Sequence, residues 1–172
     1  MLTTIIYSLA TYDSNLDVWL LEHDANPNAL DFRCQKSIDC AAYAERLESV
    51  KLSVNGGTNM IECLALIAVM MAEEFREDIA RYLLAQGVNN NILERNIDGD
   101  GNEREIPTSY FGSALHVHRA IEKKNTVRVR WLLQNGADRN IKSLPPFRTQ
   151  LLQLTEWDDL NEIAEILRTE HL

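Results

Sequence analysis

The sequence predicts an all-α fold: a solenoid of about four helix–turn–helix repeats with an extra helix and a long finger loop, in a single domain over residues 1–172. Three observations predict it. Segments Trp19-Leu20-Leu21-Glu22-His23-Asp24-Ala25-Asn26-Pro27-Asn28, Tyr82-Leu83-Leu84-Ala85-Gln86-Gly87-Val88-Asn89-Asn90-Asn91 and Trp131-Leu132-Leu133-Gln134-Asn135-Gly136-Ala137-Asp138-Arg139-Asn140 share an aromatic, a leucine pair and an asparagine nine positions after the aromatic. Upstream of the second copy, Phe75, Ile79, Tyr82 and Leu83 fall at i, i+4, i+7 and i+8, one stripe of an amphipathic helix. Gly87 and Gly136 then stand where a helix end needs positive φ.

In chain order, the first of these helices carries Leu16, Trp19 and Leu20 on one stripe and stops at Asp24, which takes the left-handed position at some steric cost. A helical stretch from about Ser37 to Lys51, apolar at Ile38, Ala41, Ala42 and Tyr43, is closed by the breaker Asn55-Gly56-Gly57. Residues 30–57 therefore read either as a degenerate repeat or as an added helix. Thr58 to Ala72 follows as a helix apolar on nearly all sides through Cys63, Leu64, Leu66, Ile67, Val69, Met70 and Met71, which marks it as buried. Its apolar run, Cys63 to Ala72, falls well short of the ~20 residues that span a bilayer.

Residues 91–112 hold the turn signal Asp98-Gly99-Asp100-Gly101-Asn102 and read as a long hairpin or finger loop. The last helix has Leu160, Ile163, Ala164 and Leu167 on one stripe, with Glu156, Asp158, Asp159, Glu162, Glu165 and Glu170 as the polar outer face of a capping repeat. The repeats are thus placed at residues 3–29, 58–92, 112–141 and 148–172. Trp19 and Trp131 share one place in the repeat and are expected in the core.

These tails, and the run Ser113-Ala114-Leu115-His116, resemble the ankyrin repeat, whose first helix opens Thr-Pro-Leu-His and whose second ends in a Leu-Leu-x-x-Gly-Ala-Asp-x-Asn-like tail. Thr4-Ile5-Ile6-Tyr7 and Thr149-Gln150-Leu151-Leu152 occupy similar places but lack the Pro and His. Leu167 follows Leu133 by 34 residues, close to the ~33-residue ankyrin period. Trp19 to Tyr82 is 63 residues and Tyr82 to Trp131 is 49, so extra chain must fill both gaps. The resemblance implies an ankyrin-repeat-like solenoid that binds another protein through its loop tips, here residues 29–36, 92–111 and 142–148. On that reading the partner-contacting residues are Phe32, Arg33, Glu94, Arg95, Asp98, Asp100, Glu103, Arg104, Tyr110 and Phe111. Carboxylates beside aromatics would steer and then anchor a basic partner.

The net charge of −9 argues against a general nucleic-acid binder. The charge is uneven, since residues 119–148 carry a net +6 and the remainder −15, so a nucleic-acid or regulatory module using that basic segment, with a groove around Arg128 and Arg130, is the rival of another class. No Lys or Arg precedes Arg33, and Ile5 to Ala10 is a short apolar run, so neither a signal nor a transit peptide fits and a cytoplasmic location is expected. Cys34, Cys40 and Cys63 are odd in number and lack C-x-x-C spacing, which suits reduced, partly buried thiols.

Candidate chemical sites are weak. Asp98, Asp100 and Asn102 open like a calcium loop, but the sixth and twelfth places hold Glu103 and Ser109 instead of Gly and Glu. His116 and His118 have no further ligand at zinc spacing. No G-x-S-x-G, P-loop or dinucleotide motif occurs, so no cofactor and no enzyme are expected. The expectation is a protein-binding module acting by occlusion, either an immunity-type inhibitor of a basic toxin or nuclease, or a secreted bacterial or viral effector engaging a host protein, with no membrane or metal involved.

Overall fold

A computed structural model of the protein describes residues 14–31, 35–60, 63–91, 117, 120–121, 123–140, 151–157 and 160–169. Among them are eight helices and no strand: α1 (Ser14–Glu22), α2 (Ser37–Tyr43), α3 (Leu47–Asn55), α4 (Ala65–Met71), α5 (Glu77–Ala85), α6 (Thr126–Gln134), α7 (Leu151–Trp157) and α8 (Asn161–Thr169). The chain divides into two compact units, Met1–Asn89 and Asn90–Leu172.

In the first unit α2 pairs with α3 and α4 with α5, and alternate helices pack on one another. α2 lies against α4, α1 against α3, and α3 against α5, while α2 also packs on α3 and α4 on α5. Ile38, Val50, Leu66, Met70, Ile79 and Leu83 are completely buried between them. The short helix α4 has no polar side chain, and all but Ala68 and Met71 of its residues are buried, as its composition requires.

The stretch expected as one helix from Ser37 to Lys51 is two. α2 ends in a Schellman motif, in which Glu45 N–H donates to Ala42 O (3.1 Å) and Arg46 N–H to Ala41 O (3.0 Å), with Glu45 at φ 61°. A glutamate at the left-handed position gives no breaker signal, so the spacing of apolar residues ran through it. Residues 37–55 are therefore a helix pair of their own. The following helix is also shorter than expected, because Thr58 ends the α3 cap, its hydroxyl donating to Ser53 O (2.7 Å).

The same helix stop recurs down the chain. Ala25 N–H donates to Leu20 O (3.1 Å), Thr58 N–H to Ser53 O (3.2 Å), Val88 N–H to Leu83 O (3.2 Å) and Ala137 N–H to Leu132 O (3.0 Å). In each case the preceding residue is left-handed: Asp24 (φ 59°), Gly57 (91°), Gly87 (89°) and Gly136 (87°). The 63-residue gap between Trp19 and Tyr82 thus resolves into steps of 33 and 30 residues, from Asp24 to Gly57 and from Gly57 to Gly87.

The asparagine nine places after the aromatic has a distinct task. Asn28 donates to Gly57 O (3.0 Å) and accepts from Asn59 N–H (2.6 Å), so it grips both sides of the next cap. In the second unit Asn91 repeats the grip, donating to Gly136 O (3.2 Å) and accepting from Asp138 N–H (2.7 Å). Its neighbour Asn90 is buried and donates to Leu132 O and Asn135 O. Asn26 and Asp138 each accept the N–H two residues on, an Asx turn that sets the chain direction after the cap.

The second unit is built around α6, which packs on α8, itself packed on α7. Before α6, Lys124 is left-handed at φ 53°, and Asn125 N–H donates to Ala120 O (3.1 Å), the stop seen after α2. Trp131, Leu132 and Leu133 are buried, and so are Ile163, Ala164, Ile166 and Leu167 on α8, which agrees with the stripe read for the last helix. Trp19 departs from expectation: it is 49% exposed and stacks on His23 with ring centroids 4.0 Å apart. On α1 it is Asp17 and Leu20 that turn inward, so the repeat position held by the aromatic lies at the edge of the buried stripe.

Leu133→Ala is expected to destabilise the protein by ~2–5 kcal/mol in equilibrium urea unfolding, because it empties a buried site. A loss below ~1 kcal/mol would contradict the placement of α6. Asn28→Ala removes two hydrogen bonds across successive caps and should cost about 1–2 kcal/mol, discounted for their exposure. No measurable loss would mean the grip is idle.

Candidate functional site

All ten residues expected to contact a partner, Phe32, Arg33, Glu94, Arg95, Asp98, Asp100, Glu103, Arg104, Tyr110 and Phe111, lie outside the described residues, as do His116 and His118. Their flanks are described. Asp31 and Gln35, on either side of residues 32–34, hold each other: Asp31 N–H donates to Gln35 O (3.0 Å) and Gln35 N–H to the Asp31 carboxylate (2.8 Å). Leu30 beside them is half exposed. On the far side, residues 92–116 are preceded by Asn91, which is anchored to the cap at Gly136.

Among the described residues the two large pKa shifts fall on Asp39, which was not singled out from sequence, and on Cys63, which was expected as a reduced, partly buried thiol. Asp39, on the third position of α2, is 2% exposed. Its carboxylate accepts the Lys36 N–H (2.8 Å) and the Cys63 thiol (3.8 Å). Burial raises its pKa to about 6, although the Lys36 N–H and ammonium and the Leu64 N–H pull the other way. Burial, followed by the Asp39 charge, pushes the Cys63 thiol up to about 12. Such a thiol stays protonated at neutral pH and supplies no nucleophile. A charged residue inside the apolar run Ile38 to Ala42 was the one signal in the sequence for this cluster.

A shallow groove runs beside the α2–α3 turn, lined by Glu45, Arg46, Leu47, Glu48, Ser49 and Arg76. Its charges are engaged internally. The Arg76 guanidinium pairs with Asp78 (2.6 Å) and donates to Glu45 O (2.9 Å), and the Glu45 carboxylate accepts the Glu74 N–H (2.8 Å). The hydrogen bond from Arg76 holds the Asp78 carboxyl below its usual range.

The described residues of the basic segment differ in exposure. Lys123, Lys124 and Arg130 are exposed, whereas Arg128 is 3% exposed and Arg139 donates to Leu167 O (3.3 Å). Arg119, Lys142 and Arg148 lie outside the described residues. Cys40 and Cys63 are free thiols, half-buried and buried. Among the described residues no group of three His, Cys, Asp or Glu could hold a metal ion, and no helix is long and apolar enough to cross a membrane.

No family model matches the chain, and no curated protein matches it.

Peptide-resolved alkylation of the folded chain at pH 8 should label Cys40 about a hundredfold faster than Cys63, since Cys63 is both shielded and kept as thiol. Equal rates would contradict the packing of Cys63 against Asp39.

Proposed function

We propose that the chain is an ankyrin-repeat-like, non-enzymatic binding module of the cytoplasm that occupies the surface of a partner protein. The observation that carries this reading is the repeated helix stop with its asparagine grip. Leu20, Ser53, Leu83 and Leu132 accept equivalent cap hydrogen bonds, and Asn28 and Asn91 make the same two contacts to the cap that follows them. Helix pairs ordered by such local rules form a rigid frame on which intervening loops are displayed.

The frame suits binding better than chemistry. Its buried thiol is held protonated, its groove charges are engaged internally, and the sequence between Asn91 and Val117 carries Glu94, Asp98, Asp100, Glu103 and Glu105. With a net charge of −9, the partner favoured is a protein with a basic surface, such as a toxin or nuclease neutralised by occlusion. Phe32, Arg33, Arg95, Arg104, Tyr110 and Phe111 would complete the contact.

Changing Asp98, Asp100 and Glu103 together to Lys should lower recovery of the partner from the producing cell by ~tenfold or more, the scale of losing electrostatic complementarity at an interface. Far-UV circular dichroism and Tm should stay within error of the parent. Unchanged recovery would remove this loop from the interface. Retention of the parent chain by nonspecific DNA at low salt would instead favour a nucleic-acid module.

A further inference from the structure

Two carboxylates are buried among the described residues, Asp17 and Asp39, each 2% exposed. Asp17 sits under the α3 hydroxyl of Ser49, which donates to it (3.1 Å). Asp39 has a different setting. It stands at the seam between two successive first helices, accepting from Lys36 N–H at the start of α2 and from Cys63 at the start of α4.

The groups that face it are few. Lys36 is 7% exposed and its ammonium donates to Asn59 O (3.1 Å). α4 contributes no titratable side chain, so from that side the carboxylate meets the Cys63 thiol and the Leu64 N–H, neither of which carries a charge. On α3, Glu48 and Lys51 pair with each other toward solvent, and Tyr43 at the end of α2 is 59% exposed. A negative charge at this seam is therefore desolvated on most sides and offset chiefly by Lys36.

We propose that Asp39 is a proton-operated latch on the seam between α2 and α4: a proton taken from solvent onto a carboxylate oxygen in mildly acidic surroundings removes the buried charge and tightens the first unit. The sign follows from which state binds the proton first. Burial raises the folded-state pKa of this carboxyl from 3.8 to about 6, so the folded unit is protonated where the unfolded chain is not. Stability is then gained as pH falls through about 6 and is complete below 3.8, and it is lost as pH rises through about 6. That direction opposes ordinary acid denaturation, in which paired carboxylates lose their partners.

The test is hydrogen exchange of α2 and α4 amides in the full chain at pH 7.5 and pH 5, corrected for intrinsic rates. Protection should rise about tenfold on acidification, the factor that a shift from 3.8 to about 6 produces over this range. Asp39→Asn, uncharged at both pH values, should lose that rise, while the parent retains it. An equal rise in the variant would overturn the latch, because the remaining carboxylates would then account for it. If the variant does not fold, carboxyl NMR titration of the parent decides. A midpoint near 6, tracked by the Lys36 amide, supports the latch, and a midpoint at or below ~4.5 refutes it.

Discussion

Turning one residue left-handed at the end of each helix is the constraint on which the other features rest. At Asp24, Gly57, Gly87 and Gly136 the turn brings the next N–H back onto a carbonyl five residues earlier, satisfying a group that the helix itself leaves open. The chain then leaves the helix in a fixed direction, and the next pair can be presented to the one before. Without that turn the second helices would run on, and the paired packing of α1 on α3 and α3 on α5 would have no reason to recur.

Asp24, together with Glu45 after α2 and Lys124 before α6, places a side chain at a left-handed stop where one is costly. A non-glycine residue in this region costs roughly 1 kcal/mol or more, so the surroundings must hold it. Glu45 shows how. Its carboxylate accepts from Glu74 N–H and its carbonyl from Arg76, so the strained turn of one pair ties down the chain entering α5. Asn28 and Asn91 act on the same principle at the opposite ends of the helices, each spending one amide side chain on both sides of a neighbouring cap. Asp39 joins the starts of α2 and α4 in a drier place, and there the cost appears as a carboxyl that holds its proton up to about pH 6.

Much of the fold was legible because its rules are local. Gly87 and Gly136 name two of the stops directly, and the stripe on α8 names its buried face. The break inside Ser37–Lys51 was hidden because Glu45 is held left-handed by Glu74 and Arg76, which lie ~30 residues away and contribute nothing to local propensity. Trp19 was misplaced because the repeat position predicts alignment with Trp131, whereas exposure depends on which neighbours cover that edge of the helix. The buried charge of Asp39 was missed for a related reason: one acid in an apolar run looks like a solvated position until two helix starts close over it. Of the expected interface, only the flanks Asp31, Gln35 and Asn91 are placed, the first two by hydrogen bonds to each other and Asn91 by its contacts to the cap at Gly136.

By itself the sequence determined the helical class, the left-handed stops at Asp24, Gly87 and Gly136, and the apolar faces of α4 and α8, since propensity, glycine conformation and 3.6-residue spacing act within a few residues. Tertiary structure alone decided that residues 37–55 are a pair, that Asn28 and Asn91 grip the caps ahead of them, that Trp19 faces solvent, and that Asp39 and Cys63 share a dry seam. Apart from the exposure of Trp19, each of those outcomes depends on groups brought together from about 20 to 50 residues apart, where desolvation and packing outweigh local preference.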